Sequence, residues 1–311
     1  MNIINDLTNL VGNTPLYYLE RTANNQSLET KLYAKLEMFN PFGSSKDRAI
    51  LAILKDGERK GFINRETVII EPSGGNAASS LAYICAAKKY RLILTMPESI
   101  HAERRALMAS LGAELHLTQA DKGMNGAIEY ANHLCEVIKN SFMPMQFQNP
   151  ANPRSHRDTT GEEIWRDTDG LVDIVVAGFG TGGTISGIAE ALKAHKPTVN
   201  VVGVEPQNSP VTSGGKPGAH RISGLGAGFL PINLNLDLID EIIPVSDENA
   251  YLRTRELAKT EGLVCGVSSG AALDAAITVA RRNENRGKTI VIIFPDHGER
   301  YLNQNIFTVE P

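Results

Sequence analysis

Four short stretches carry residue types that could do chemistry together. GFGTGGT (178–184) sets Gly178, Gly180, Gly182 and Gly183 beside the hydroxyls of Thr181 and Thr184, between an apolar run and a helical pattern. Glycines let backbone amides point inward, and a helix start adds partial positive charge, so a phosphate suits this turn; the bland alternative is a tight βα connection. NPFGSSKDRAI (40–50) puts Lys46 just after a Gly-Ser-Ser turn, at the start of an apolar-periodic helix. An isolated lysine there would be a surface residue, but a helix N-terminus disfavours its charged form, which helps a lysine that must attack a carbonyl. The serines of GVSSGAA (266–272) either cap the helix that follows or turn one hydroxyl toward a ligand nitrogen. EPSGGNAASS (71–80) offers Ser73, Gly74, Gly75, Asn76 and Ala77 where a strand meets an alanine-rich helix, either as a plain turn or as an anion cradle.

A lysine, a phosphate cradle, a serine turn and an asparagine loop form a set that suits pyridoxal 5'-phosphate, whose aldehyde needs the lysine and whose phosphate needs the glycines. A rival reading takes Gly178, Gly180 and Gly183 as G-x-G-x-x-G, with Glu205 at the end of the next strand as the acid of a dinucleotide site. No lysine follows these glycines, which excludes a triphosphate loop.

The elements that must position these residues alternate. Strand-like runs at 67–71, 92–96, 114–118, 173–178, 200–205 and 290–295 are interleaved with helical patterns near 76–89, 102–111, 123–138, 184–194, 248–261 and 269–282. Short strands apolar on both faces predict an α/β fold of two open, twisted, mostly parallel sheets flanked by helices, with ligands at the strand C-terminal edges. The 311 residues exceed one domain of roughly 150. MPMQFQNPANPR (143–154) interrupts the pattern, and the glycine-rich 208–229 reads as a long functional loop. A net charge of -4 shows no basic footprint for nucleic acid or membrane. No apolar run reaches membrane-spanning length. Cys85, Cys135 and Cys265 sit in apolar patterns without metal-type pairing, so buried thiols, no metal and a reducing, cytoplasmic setting are expected. The N-terminus lacks the pattern of a signal peptide.

NPFGSSKDR resembles the lysine motif NPGGSVKDR of the cysteine synthase (O-acetylserine sulfhydrylase) and cystathionine β-synthase family. The resemblance continues in order through VGNTPL (11–16), TMPESIHAERRALMASLGAEL (95–115), QFQNPANP (146–153), TTGEEIW (159–165), VAGFGTGGTISG (176–187), GGKPGAHRISGLGAGFLP (214–231), GVSSGAA and PDHGERYL (295–302). SHRDTTGEEIW and GAGF are the cysteine-synthase forms. The resemblance implies a fold type II, tryptophan synthase β-like enzyme, normally a homodimer, with pyridoxal phosphate between two domains. The smaller, mobile domain is expected at 44–150, with the substrate loop; 1–43 plus 151–311 would form the larger, with the phosphate loop. It implies that Lys46 carries the cofactor and shuttles the α-proton, that Asn76 bonds the ring oxygen, and that Gly180, Thr181, Gly182, Gly183 and Thr184 hold the phosphate. Ser268 would face the pyridine nitrogen, with Ser269 one position away. Ser73, Gly74, Gly75, Ala77, Gln146 and Gly224 would meet the substrate.

The activity implied is β-replacement on an activated serine, most simply O-acetylserine and sulfide giving L-cysteine and acetate. The alternatives are a homologue using serine, phosphoserine, cysteine or homocysteine, and a low-turnover homologue that binds cofactor or a regulatory protein's C-terminal tail. The chain departs from the family at the loop normally written T-S-G-N-T-G, where Gly74 and Ala77 remove two hydroxyls. Each lost hydrogen bond to a carboxylate is worth about 1.5–3 kcal/mol. Phe42 replaces a small residue and is expected to narrow the pocket beside Lys46.

Overall fold

The computed structural model describes residues 3–307; the outermost residues of the expected larger-domain ranges lie outside it. Its strands are β1 (Leu16–Tyr18), β2 (Lys31–Leu36), β3 (Val68–Pro72), β4 (Arg91–Pro97), β5 (Glu114–Thr118), β6 (Ser141–Phe142), β7 (Ile174–Gly178), β8 (Asn200–Pro206), β9 (Glu241–Val245) and β10 (Thr289–Phe294). The chain divides into two compact units, Met1–Val11 with Lys46–Asn152 and Gly12–Ser45 with Pro153–Pro311.

The smaller unit holds a four-stranded sheet in the order β5-β4-β3-β6, every pair parallel. Val68, Ile70 and Ile93 pack on Ala131 and Leu134 of the Gly123–Val137 helix. The Asn76–Lys88 helix is rich in alanine and serine, and Ala77 to Cys85 are buried on every face. Helices buried all round lack an amphipathic stripe, so small residues let neighbours approach closely. The Lys46–Arg59 helix buries Ile50, Ile53 and Leu54 completely.

The larger unit holds six strands in the order β1-β2-β10-β7-β8-β9, parallel except for the antiparallel β1–β2 pair. β10 lies within this sheet and is buried along its whole length, in keeping with the continuous apolar run TIVIIF. The Val267–Ala280 helix, of similarly small residues, packs on one face and the Gly183–His195 helix contributes to the core on the other. Sequence periodicity missed β1, β2, β6 and β9. β6 has two residues, β9 carries Pro244 at an edge, and the apolar run of β2 is interrupted by Lys31 and Lys35.

One of those lysines, Lys35, is fully buried. Its Nζ donates to the Thr14 carbonyl at 2.6 Å and pairs with Glu163 at 2.8 Å and Asp167 at 3.4 Å. Glu163 also accepts the Asn13 amide at 2.9 Å. The ion cluster thus ties VGNTPL to TTGEEIW, two motifs about 150 residues apart in the chain. Among the described residues, no helix is long and apolar enough to cross a membrane.

Candidate active site

In the smaller unit, Pro72 ends β3 and Ser73, Gly74 and Gly75 turn the chain into the helix that begins at Asn76. Gly75 is the N-cap and supplies no side-chain cap, so the first-turn amides have no side-chain acceptor there. Ser73, Gly74 and Ala77 are buried, while Gly75 and Asn76 are half-buried. Lys46 is the first residue of the Lys46–Arg59 helix and is half-buried. The adjoining Asp47 is fully buried, and its carboxylate accepts the Ser80 hydroxyl at 2.5 Å. Ser80 lies one turn after Asn76, with its Oγ 3.0 Å from the Asn76 carbonyl. A hydrogen bond between neighbouring helices therefore sets the lysine and asparagine turns relative to one another.

Glu71, the last residue before the Pro72–Ser73 turn, was missed by sequence reasoning. Only 3% of it is exposed, and its carboxylate accepts the Met145 amide at 3.2 Å. The Gln146 backbone and side chain also donate to it. Gln146 is thereby joined to the base of the Ser73–Ala77 loop, and the Asn152 side chain holds its carbonyl at 2.8 Å. Burial pushes the Glu71 carboxyl up to about 7, against the opposing pull of the Met145 and Gln146 donors. A lone glutamate ending the apolar strand TVII was the available signal.

Gly74 has a neighbour that the sequence did not reveal. A Cβ there would lie 2.7 Å from both Cδ1 and Cγ1 of Ile100, so Ile100 occupies the space of the missing side chain.

In the larger unit, Gly178 to Gly183 connect β7 to the Gly183–His195 helix. Gly182 is the N-cap, with a φ of +79° that favours glycine, and no side chain caps the helix. A Cβ on Gly180 would sit 2.3 Å from the Gly224 carbonyl oxygen, so the two loops meet backbone to backbone; Gly224 itself has φ +90°. Thr181 is buried and Thr184 half-buried. Ser268 and Ser269 occupy the first turn of the Val267–Ala280 helix, whose N-cap Gly266 again leaves it without a side-chain cap. Ser269 Oγ is buried without a hydrogen-bond partner among the described residues. Uncapped helix starts at Gly183 and Val267, a glycine cradle and an unsatisfied buried hydroxyl fit a cofactor with both a phosphate and a ring nitrogen.

The structure also places three further sets of residues that the sequence singled out. Glu205 is buried and accepts the Thr212 and Ser213 amides at 3.0 and 3.1 Å together with the Ser213 hydroxyl. It anchors the glycine-rich loop, a task that leaves no dinucleotide role for it. The Phe42 ring lies under the Arg300 guanidinium, 5.6 Å away, and the Phe42 carbonyl accepts from Arg300, which gives this residue an anchoring part in the larger unit. Of the three free cysteines, Cys85 and Cys265 are buried but Cys135 is half-buried on the Gly123–Val137 helix.

The family model for pyridoxal-phosphate dependent enzymes matches residues 7–296. A cysteine synthase of Staphylococcus aureus is 44% identical over 308 residues, covering 99% of this chain and 98% of that protein. Among solved structures, a cysteine synthase from Entamoeba histolytica superposes with a TM-score of 0.97 at 40% identity, over 100% of this chain and 92% of that one. The O-acetylserine dependent cystathionine beta-synthase of Helicobacter pylori gives a TM-score of 0.92 at 37% identity, over 99% and 100%.

Proposed function

The chain belongs to the family of pyridoxal-phosphate dependent enzymes, and we propose that within it this protein is a cysteine synthase, converting O-acetyl-L-serine and sulfide to L-cysteine and acetate. The observation that carries the reading is the end-to-end likeness to cysteine synthases. When bound, pyridoxal phosphate supplies an aldehyde and an electron-withdrawing ring that acidify the α-carbon of an amino acid.

The chain's own residues do the rest. Lys46 holds the cofactor through its amine and moves the α-proton. The helix-start position lowers the cost of its neutral form. Asn76 holds the ring oxygen, a hydroxyl of the Ser268–Ser269 turn meets the ring nitrogen, with Ser269 Oγ the one left without a partner among the described residues, and the 180–184 loop holds the phosphate. Ser73, Gly74, Gly75 and Ala77 grip the substrate carboxylate through backbone amides and the one remaining hydroxyl, with Gln146 beside them and Gly224 lining the substrate region. Acetate leaves Cβ with the bonding electron pair, sulfide forms the new C–S bond, and Lys46 returns a proton to Cα. The proposal extends to a 44–150 domain that closes on substrate, to a homodimer, and to a reducing cytoplasmic setting, which the free, partly buried cysteines support.

A second reading keeps O-acetylserine but replaces sulfide with a thiol amino acid such as homocysteine; the similarity to the O-acetylserine dependent cystathionine beta-synthase of H. pylori and the altered loop at Gly74 and Ala77 support it. Incubating the holoenzyme with O-acetylserine and either sulfide or homocysteine, with products identified by mass spectrometry, separates the two. Borohydride reduction followed by peptide mapping is expected to leave the cofactor on Lys46. A colourless protein that binds NAD would overturn both readings.

A further inference from the structure

We propose that His156 is the positioning residue of the phosphate loop: its Nε2–H donates to Thr184 Oγ1 and commits the Thr184 hydroxyl hydrogen to the cofactor phosphate. The inference rests on residues 180–184 being the phosphate loop.

His156 is 1% exposed and stands at the start of a π-helical turn, His156–Gly161. Its Nε2 lies 3.1 Å from Thr184 Oγ1, and its Nδ1 lies 2.9 Å from Thr160 Oγ1. The imidazole therefore joins two hydroxyls, one of them in the glycine loop. A threonine hydroxyl has one hydrogen and can also accept, whereas an ionised phosphate only accepts. For Thr184 to hold a phosphate, its hydrogen must point at the phosphate and its oxygen must accept from Nε2. That choice puts the proton on Nε2. In the neutral ring Nδ1 is then an acceptor, and the Thr160 hydroxyl donates to it. Donors run in one direction, from Thr160 through His156 to Thr184, and each bond polarises the next. In the opposite direction, Thr184 would spend its hydrogen on His156 and present lone pairs to an anion.

The backbone holds this arrangement in place. A Cβ on Gly187 would fall 2.1 Å from the Pro153 carbonyl oxygen and 2.8 Å from the His156 Cβ, and one on Gly161 would fall 2.5 Å from the Ala191 Cβ. Two glycines thus let the π turn lie directly against the Gly183–His195 helix. The Thr159 hydroxyl closes the turn by donating to the Ser155 carbonyl at 2.6 Å. π turns inside helices are often found at functional sites.

Histidine-selective ¹⁵N NMR of the unmodified holoenzyme is the first test. Nε2 of His156 is expected to carry a proton; an unprotonated Nε2 overturns the proposal. Titration of the apoprotein with pyridoxal phosphate is the second. His156→Leu is expected to weaken binding about tenfold, the scale of one hydrogen bond in a charged network. His156→Gln, whose amide N–H can replace Nε2–H, should recover most of that loss, and apoprotein melting separates these effects from folding. If His156→Leu binds as tightly as the parent while Thr184→Val binds weakly, the relay falls and the phosphate loop stands. If Thr184→Val leaves affinity unchanged, the phosphate-loop assignment falls and the relay with it. The NMR result needs no variant, so a substitution that fails to fold leaves the proposal exposed to refutation.

Discussion

Restoring a hydroxyl at Gly74 tests the proposal that the 73–77 loop grips the substrate carboxylate. The Gly74→Ser Cβ would lie 2.7 Å from Cδ1 and Cγ1 of Ile100 and 3.4 Å from Cγ2, so Ile100 has to move. Ile100 is half-buried, and the contacting atoms include Cγ1 and Cγ2 beside its branched Cβ, so clearing them takes a new rotamer or a shift of the whole side chain. Displacing it carries the cost of local overpacking, about 1–3 kcal/mol. A new hydroxyl donor to a carboxylate is worth about 1.5–3 kcal/mol. The two effects nearly cancel, and Gly74→Ser alone is expected to shift amino-acid affinity by no more than a few fold. Combining Gly74→Ser with Ile100→Ala removes the obstacle and should tighten binding by about tenfold or more. The assay is a titration of the holoenzyme with L-alanine, which has the carboxylate but no leaving group, followed through cofactor absorbance. Ile100→Ala alone serves as the control, and the four proteins form a double-mutant cycle. Coupling between positions 74 and 100 is the expected signature. If Gly74→Ser by itself gains as much as the pair, Ile100 is no barrier. If the pair gains nothing, the loop does not grip the carboxylate.

Three further outcomes follow from buried groups and close contacts. Glu71 has its carboxyl raised to about 7 from an ordinary 4.5, so the folded state binds that proton more tightly than the unfolded chain. Its contribution to stability is complete below pH 4.5 and is lost as pH rises through about 7, on the order of 3 kcal/mol in all. Glu71→Gln should flatten the fall in stability over that window in denaturant titrations; parallel parent and variant profiles would refute the assignment. Lys35→Ala leaves Glu163 buried without its cation and should destabilise the chain by about 3–5 kcal/mol, whereas Lys35→Met with Glu163→Gln should recover part of the loss. Gly180→Ala drives a methyl group to within 2.3 Å of the Gly224 carbonyl, a backbone atom with little room to yield. It should abolish cofactor retention on gel filtration while the far-UV spectrum stays native, and normal retention would show that the two loops can separate.

Much of this was legible in the sequence because the signals are local. Apolar runs on both faces announced β3, β4, β7, β8 and β10, and β5 followed from its place in the alternation, because a parallel sheet covered by helices needs no polar face. The three helix starts that bear Asn76, Gly183 and Ser268 were marked by glycines and small hydroxyl residues, which follow from the backbone needs of a tight turn. Lys46 was visible because its motif places a basic residue on the first helical turn. Periodicity failed where an element is short or at an edge, as with β6 and β9, and where a buried lysine broke the apolar pattern of β2. What only the tertiary structure decided is which distant residues share a hydrogen bond or a volume. Asp47 with Ser80, Glu71 with Gln146, Glu205 with the 212–213 amides and His156 with Thr184 are pairings across loops and elements, and no spacing along the chain encodes them. The same holds for Ile100 over Gly74: the sequence showed a missing hydroxyl, and only packing showed that an isoleucine fills its place, because side-chain volume is shared among residues that meet only in the folded chain.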